Sequence, residues 1–349
     1  MRSRLTNFHL PMFAAVTLIC TAVAWPAAAV TFTPNASFQP FGSFSAAARG
    51  INSNGDIVGT FACTAAHPCT GVANGTHGFL LPAGSSTPIS VDVPGAVATV
   101  ARGISEQGIV IGHYDVSVAG VGVLTHGFAY FEGNYVYPID VPPGLFDAAE
   151  AQAGKSSPIR ATLPVRISPE GDIVGCYHED GFTMTTMHGW LLRNGEFTEL
   201  ATPAGMSNTD PDTMNNGISP TGEIVGFYLS SGVSYIADQN GVVTTFTFPD
   251  GQNGNGLFTL AWDVNARGDI VGVHGNNQAY AIGMCMSNCS AIPPSGFLRT
   301  SGGDYLDLKV QGAGATQVFG INSLRQIVGQ YTDSAGTHAF VYRLREGNL

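Results

Sequence analysis

One phrase recurs six times along this 349-residue chain. It reads GINSNGDIVGTF at 50–61, GISEQGIVIGHY at 103–114 and RISPEGDIVGCY at 166–177. It returns as GISPTGEIVGFY at 217–228, DVNARGDIVGVH at 263–274 and GINSLRQIVGQY at 320–331. Aligned on the second glycine, the copies fall at Gly59, Gly112, Gly175, Gly226, Gly272 and Gly329, at intervals of 53, 63, 51, 46 and 57 residues. A period near fifty describes one supersecondary unit that cannot bury its apolar face alone and must stack on its neighbours.

Each copy reads as a hairpin. Ile51 or Ile104 ends one strand. Asn or Ser, two variable residues and Gly form the turn, with Gly supplying the positive φ it tolerates best. The D-I-V-G segment then starts the return strand. Asp56, Asp172, Glu223 and Asp269 recur just after the turn, but the position becomes Ile109 and Gln326 elsewhere. No further acidic residues accompany it at calcium-loop spacing, so it reads as a polar turn flank.

A second phrase follows each first one. It is THGFLL at His77–Phe79, THGFAY at His126–Phe128, MHGWLL at His188–Trp190 and THAFVY at His338–Phe340, with weaker forms VSYIAD and PSGFLR. A third phrase, ISVDVPG, YPIDVPPG or TTFTFPDG, comes next. Each unit therefore reads as four strands, the composition of a propeller blade. Abundant Gly, at 45 residues, and few charges, at 11%, suit packed sheet with tight turns. The fold expected is all-β, a six-bladed β-propeller of four-stranded blades. The last copy stops after THAFVYRL without a fourth strand. The segment FTPNASFQPFGSF near the N-terminus reads like that strand, and joining the two closes the ring and removes open sheet edges.

These phrases resemble the HAF-type extracellular repeat proteins of bacteria, over about residues 40–344. The resemblance implies an exported repeat protein and brings no catalytic residues. Copy five departs with DVNARGDIVGVH, and copy four has VSYIAD where others have the His phrase. His77, His126, His188 and His338 accordingly read as structural, satisfying neighbouring backbone groups.

Residues 1–29 read as a secretory signal: Arg2 and Arg4, an apolar run from Met12 to Trp25, and Ala27-x-Ala29 before a cut at Val30. The run is short for a membrane span, and Ile19 is too bulky to precede a lipoprotein cysteine at Cys20. Residues 30–349 are expected as a single, monomeric domain, secreted or periplasmic. Without Arg2 and Arg4 the chain has 12 basic and 25 acidic residues, a net charge of −13. That balance argues against nucleic acid and anionic membrane surfaces as partners.

Cys63 and Cys69 in CTAAHPC, and Cys285 and Cys289 in CMSNC, fit local disulfides in an exported chain. Metal ligation is the alternative, but neither spacing matches a zinc finger. Cys176 reads as a buried free thiol. No cofactor or metal is expected.

The long irregular segments 62–75, 142–164, 178–187 and 274–294 all fall on one face, opposite the short turns. Loops on a rigid scaffold commonly carry binding. Residues that break the repeat there are candidates. Arg49 and Arg102 enter the innermost strands at equivalent positions, Arg166 stands one residue later, and Asn216, Trp262 and Phe319 are their counterparts. Arginine offers a planar fork to carboxylates and tryptophan a stacking face to sugars. The alternative is that each Arg pairs with an acid of a neighbouring blade and plugs the channel. His113, His178, Glu179 and Asp263 are the candidate catalytic set if the chain is an enzyme, with Asp180 and His274 nearby. The alternative is ordinary loop polarity. No G-x-S-x-G, H-E-x-x-H, phosphate loop or dinucleotide fingerprint occurs. The leading expectation is a secreted protein that binds an extracellular glycan or cell-envelope component. A glycan hydrolase or lyase is the alternative, and a structural envelope scaffold the third reading.

Overall fold

The computed structural model describes residues 27–142, 161–178, 187–199, 213–229, 231–249, 258–275 and 294–345. Most of the expected signal, the Cys285 and Cys289 pair, Glu179 and Asp180 lie outside these residues. Among the described residues the chain is all-β, with a single 3-10 turn at Pro40–Gly42. Among the described residues no helix is long and apolar enough to cross a membrane.

Two short strands come first, β1 (Ala28–Phe32) and β2 (Ala36–Phe38). Six units follow. The first is β3 (Ser45–Ile51), β4 (Ile57–Cys63), β5 (Gly75–Leu81) and β6 (Ile89–Val91), and the second β7 (Ala98–Ile104), β8 (Val110–Val118), β9 (Gly122–Phe131) and β10 (Asn134–Ile139). The third is β11 (Ala161–Ile167), β12 (Ile173–His178), β13 (Met187–Arg193) and β14 (Glu196–Glu199). The fourth is β15 (Thr213–Ile218), β16 (Ile224–Tyr228), β17 (Val233–Ala237) and β18 (Val243–Phe246). The fifth is β19 (Phe258–Val264), β20 (Ile270–Gly275), β21 (Ser295–Arg299) and β22 (Tyr305–Val310). The sixth has β23 (Ala315–Ile321), β24 (Gln326–Asp333) and β25 (Gly336–Arg343).

In each unit successive strands pair antiparallel. In the sixth, the strand beside β25 is β2, with Ala36 opposite Val341 and Phe38 opposite Ala339. β1 adds a parallel fifth strand to the fifth unit, pairing Ala28–Phe32 with Leu306–Val310. The expected cut after Ala29 falls inside β1 and leaves Val30–Phe32 to pair.

The repeated glycines have two separate causes. The turn glycines, such as Gly108 at φ 85°, hold the left-handed conformation. The second glycine answers a β-bulge. In all six units the register between the first two strands slips at one residue: Arg49, Arg102, Val165, Asn216, Trp262 or Phe319. The bulge presses a carbonyl onto the facing strand. A Cβ on Gly112 would stand 2.0 Å from the Val100 oxygen, and one on Gly329 1.9 Å from that of Gln317. Only glycine fits there.

The turn Asn or Ser has its own task. Its side chain accepts the amide of the residue after the turn, as Asn52 does from Asp56 at 2.9 Å and Ser105 from Ile109 at 3.1 Å. The asparagines also reach the next unit. Asn265 donates to the Asn322 carbonyl, Asn322 to that of Asn52, and Asn52 to that of Ser105. The sixth unit thus touches the first, where Thr337 also pairs with Ser45. The acidic turn flanks serve these turns and ion pairs: Asp56 accepts from Asn52, Asp172 pairs with Arg193, and Asp269 with Arg325.

The aromatic of the second phrase fills the core. Phe79, Phe128, Trp190, Tyr235, Phe297 and Phe340 are all fully buried. Each repeated histidine meets a carboxylate, and His77 also reaches the Ala73 carbonyl through Nε2 at 3.0 Å, a backbone partner as expected. His126 Nδ1 lies 2.7 Å from Asp140, His77 3.1 Å from Asp92, and His188 3.1 Å from Glu199. His338 pairs with Asp333 at 3.0 Å. Each ring packs on an aromatic of the second strand, as His188 stacks on Tyr177 at 4.6 Å. The reason is placement. In the first two units an aspartate directly follows the fourth strand, level with the histidine of the third, and in the third unit Glu199 ends that strand opposite Trp190.

Candidate functional site

The first strands of the six units converge. A Cβ on Gly103 would stand 2.7 Å from the Val165 oxygen, and one on Gly217 2.9 Å from the Asp263 Cα. The residue after the bulge is therefore glycine in four units, at Gly50, Gly103, Gly217 and Gly320. In the other two it is Arg166 and Asp263.

Those two residues find each other. Arg166 Nε lies 3.0 Å from Asp263 Oδ1, with both side chains 8% exposed. The contact is an ion pair whose N–H does not aim at the oxygen. Arg166 Nη1 donates to the carbonyls of Arg102 and Val165, at 2.7 and 3.1 Å. Its Nη2 donates to those of Arg49, at 2.7 Å, and Phe319. Asp263 accepts the amides of Val264 and Ile321, each at 3.0 Å. Burial pushes the Asp263 carboxyl up, and the Arg166 charge opposes that without cancelling it. Of the two readings for the arginines, Arg166 follows the plug. It joins five units at the centre instead of facing a ligand. The signal was present in the repeat, whose first letters run G, G, R, G, D, G.

On the short-turn side of this pair is a cavity of about 60 Å³, walled in part by Ile51, Ile104, Ile167, Ile218, Val264 and Ile321. These are the apolar residues that end the six first strands.

The other side is uneven. In units three to five the inward positions hold Leu163, Cys176, Met214, Phe227, Leu260 and Val273, all buried in one apolar cluster with Trp262 and Phe319. Trp262 stands edge-on to Phe227 and Phe319, and Asn216 donates to the Ala261 carbonyl at 2.9 Å. In units six, one and two the corresponding positions are Gln317, Gln330, Ala47, Thr60, Val100 and His113. Thr60, Val100 and Gln330 keep accessible surface there, as do Arg49 and Arg102. This polar, partly accessible side, displaced from the centre, is the candidate cleft, and Arg166 holds the backbone at its base.

Arg49 and Arg102 are the unusual members of this cleft. The Arg49 guanidinium lies over the Phe319 ring, 4.3 Å from its centroid. Neither arginine has a carboxylate within ion-pair distance among the described residues, and the Nε of each is buried without a hydrogen-bond partner. Burial lowers the Arg49 pKa to about 9, helped by the charges of Arg102 and Arg166. Burial likewise lowers Arg102, to about 10, with Arg166 adding to the effect. Both remain cationic at neutral pH. His113 is 4% exposed with Nδ1 unpartnered. Burial, then the charges of Arg102 and Arg49, hold it well below the usual imidazole range, so it is neutral.

Of the four catalytic candidates Glu179 lies outside the described residues, and His113, His178 and Asp263 do not form one set. His113 and His178 share the cleft region, since each arginine and His178 bear on His113. Cys176 Sγ lies 3.7 Å from His178 Nε2, and burial pushes its thiol up to about 12. Asp263 is held by Arg166 in the floor. His274 lies apart, paired with Asp307 at 3.0 Å and stacked on Phe248. Among the described residues no three His, Cys, Asp or Glu side chains gather as a metal site. Cys63 and Cys69 form a disulfide with Cα atoms 5.4 Å apart.

No protein-family model and no curated protein matches the chain. Similar solved structures include regucalcin, a calcium-binding protein from Agrobacterium tumefaciens, at 10% identity and a TM-score of 0.47, covering 89% of this chain and 95% of that one. Trypanosoma rangeli sialidase aligns at 9% identity and a TM-score of 0.48, covering 91% of this chain and 59% of that one. Virginiamycin B lyase from Staphylococcus aureus aligns at 10% identity and 0.42, covering 88% and 99%. At these values no activity passes from any of them to this chain.

Proposed function

We propose that this chain is an exported six-bladed β-propeller of the HAF-type repeat class, closed by β2, that binds an extracellular glycan or cell-envelope component in the polar cleft beside its centre. The observation that carries this reading is the pair Arg49 and Arg102, two deep cations with no carboxylate partner among the described residues. Buried charges are costly unless paired, so an arrangement that leaves two unpaired favours an anionic group from outside. The exported chain is acidic, at −13 without Arg2 and Arg4, so the two arginines stand against a negative background. The Cys63–Cys69 staple sits in one of the loops at the same end of the fold.

A screen of residues 30–349 against a polysaccharide panel tests the reading, following both retention and release of reducing or unsaturated ends. Retention that disappears in Arg102→Ala, with no fall in melting temperature, supports it. Retention unchanged in that variant removes the cleft from consideration. Release of new ends would instead favour the hydrolase or lyase reading, which rests on His113 and His178 beside the same arginines.

A further inference from the structure

The cleft is blind. Arg166 Nη1 and Nη2 bind the carbonyls of Arg102 and Arg49 themselves, so the floor begins at the backbone of the two cationic residues. Nothing can thread past them toward the short-turn face. Sideways passage is blocked as well, because Met214, Phe227, Leu260 and Trp262 fill the opposite half and are buried. In the open half Thr60 and Val100 are short and keep accessible surface, while Ala47 is buried against the apolar cluster.

Charge narrows the occupant further. Arg49 and Arg102 present planar forks that match a carboxylate, and His113 adds a neutral imidazole with a spare ring nitrogen. A polyanionic chain laid across the surface would meet the repulsion of an exported protein carrying −13. A single anionic group brought to the bottom of the cleft gains the two arginines and avoids most of that repulsion.

We infer that the cleft receives one carboxylate on the terminal residue of a glycan, a terminal uronate presented end-on. This rests on the reading that the cleft binds an extracellular ligand, and it adds which part of the ligand enters.

Isothermal titration of residues 30–349 tests it. The probes are glucuronic acid, a disaccharide with glucuronate at its non-reducing end, the methyl ester of that disaccharide, a trisaccharide with glucuronate between neutral sugars, and inorganic phosphate. The acid and the terminal disaccharide bind. The ester, the trisaccharide and phosphate each bind weaker by about tenfold or more, as loss of a charge-assisted bidentate contact requires. Arg49→Gln and Arg102→Gln each weaken the disaccharide by about tenfold or more. Circular dichroism confirms their fold, and Arg102→Lys serves should either fail to fold. Equal binding of the trisaccharide overturns end-on entry, and equal binding of the ester or phosphate overturns the carboxylate. If no terminal uronate binds while polysaccharide retention still depends on Arg102, this inference fails and the cleft reading stands. If binding persists unchanged in both arginine variants, both fail.

Discussion

Arg166 and Asp263 occupy the same position of two different repeats and are each other's partner, Nε to Oδ1 at 3.0 Å, while the other four copies hold glycine there. The two side chains use the space that the glycines leave. The pair also converts six converging backbones into a closed floor, and that floor gives the cleft its depth.

Removing one partner of this pair is expected to be severe. Asp263→Ala leaves a buried guanidinium without its counter-charge, a loss of about 3–5 kcal/mol. Replacing both with leucine is expected to recover much of it, since no lone charge is then buried. Urea unfolding of the two variants decides the matter. A single variant within about 1 kcal/mol of wild type would show that the carbonyls alone hold Arg166.

A second interlock joins the fifth and sixth units. Arg325 stands where other copies have the turn glycine, at φ 56°, and donates to Asp269 through Nε at 2.7 Å and Nη2 at 3.1 Å. Burial opposes ionisation of Asp269, but Arg325 and Asn265 together outweigh it and hold the carboxyl below its usual value. A depressed carboxyl contributes stability above the unfolded pKa and loses it as the pH falls through the folded one. Arg325→Ala is therefore expected to lower stability by about 2–4 kcal/mol at pH 7. The gap to wild type should narrow below about pH 4. Arg325→Gly should cost about 1 kcal/mol less than alanine, because it relieves the left-handed backbone. Unfolding titrations at several pH values test both parts, and a gap that widens in acid would refute the assignment.

The bulge makes its own demand at the second glycine. A Cβ on Gly112 meets the Val100 oxygen at 2.0 Å and the Ala101 Cα at 3.0 Å, all of it backbone. Gly112→Ala is expected to destabilise by about 3 kcal/mol or more. Gly108→Ala, at a turn where a Cβ would meet only Phe131 Cε2 at 4.0 Å, is expected to cost about 1–2 kcal/mol. Melting temperatures of the two proteins rank them, and the reverse order would mean that turn conformation rather than the bulge selects the motif.

His126 carries a structural role distinct from the cleft. Its Nδ1 pairs with Asp140 at 2.7 Å and its ring leans on Tyr114 at 5.5 Å. His126→Leu should lower stability by about 1 kcal/mol, the scale of a partly exposed pair, and leave ligand affinity unchanged. A fall in affinity without a fall in melting temperature would assign the repeated histidine to binding instead.

The local rules of this protein are written in its sequence. The repeat period, the hairpin at each copy, the order of four strands and the turn glycines follow from patterns within about a dozen residues, where chain geometry leaves few alternatives. The bulge was hidden because a register slip belongs to two strands at once. The acidic partners of the repeated histidines were hidden for a similar reason, since each lies on a neighbouring strand. The sequence marked Arg49, Arg102 and Arg166 alike as departures from the repeat, but it did not separate their roles. Tertiary structure did that. Arg166 meets Arg49 across 117 residues of chain and Phe319 across 153, and Asp263 neutralises it from another unit. Which arginine is paired and which is left for a ligand depends on how six units face one centre, and no stretch of a single unit contains that information.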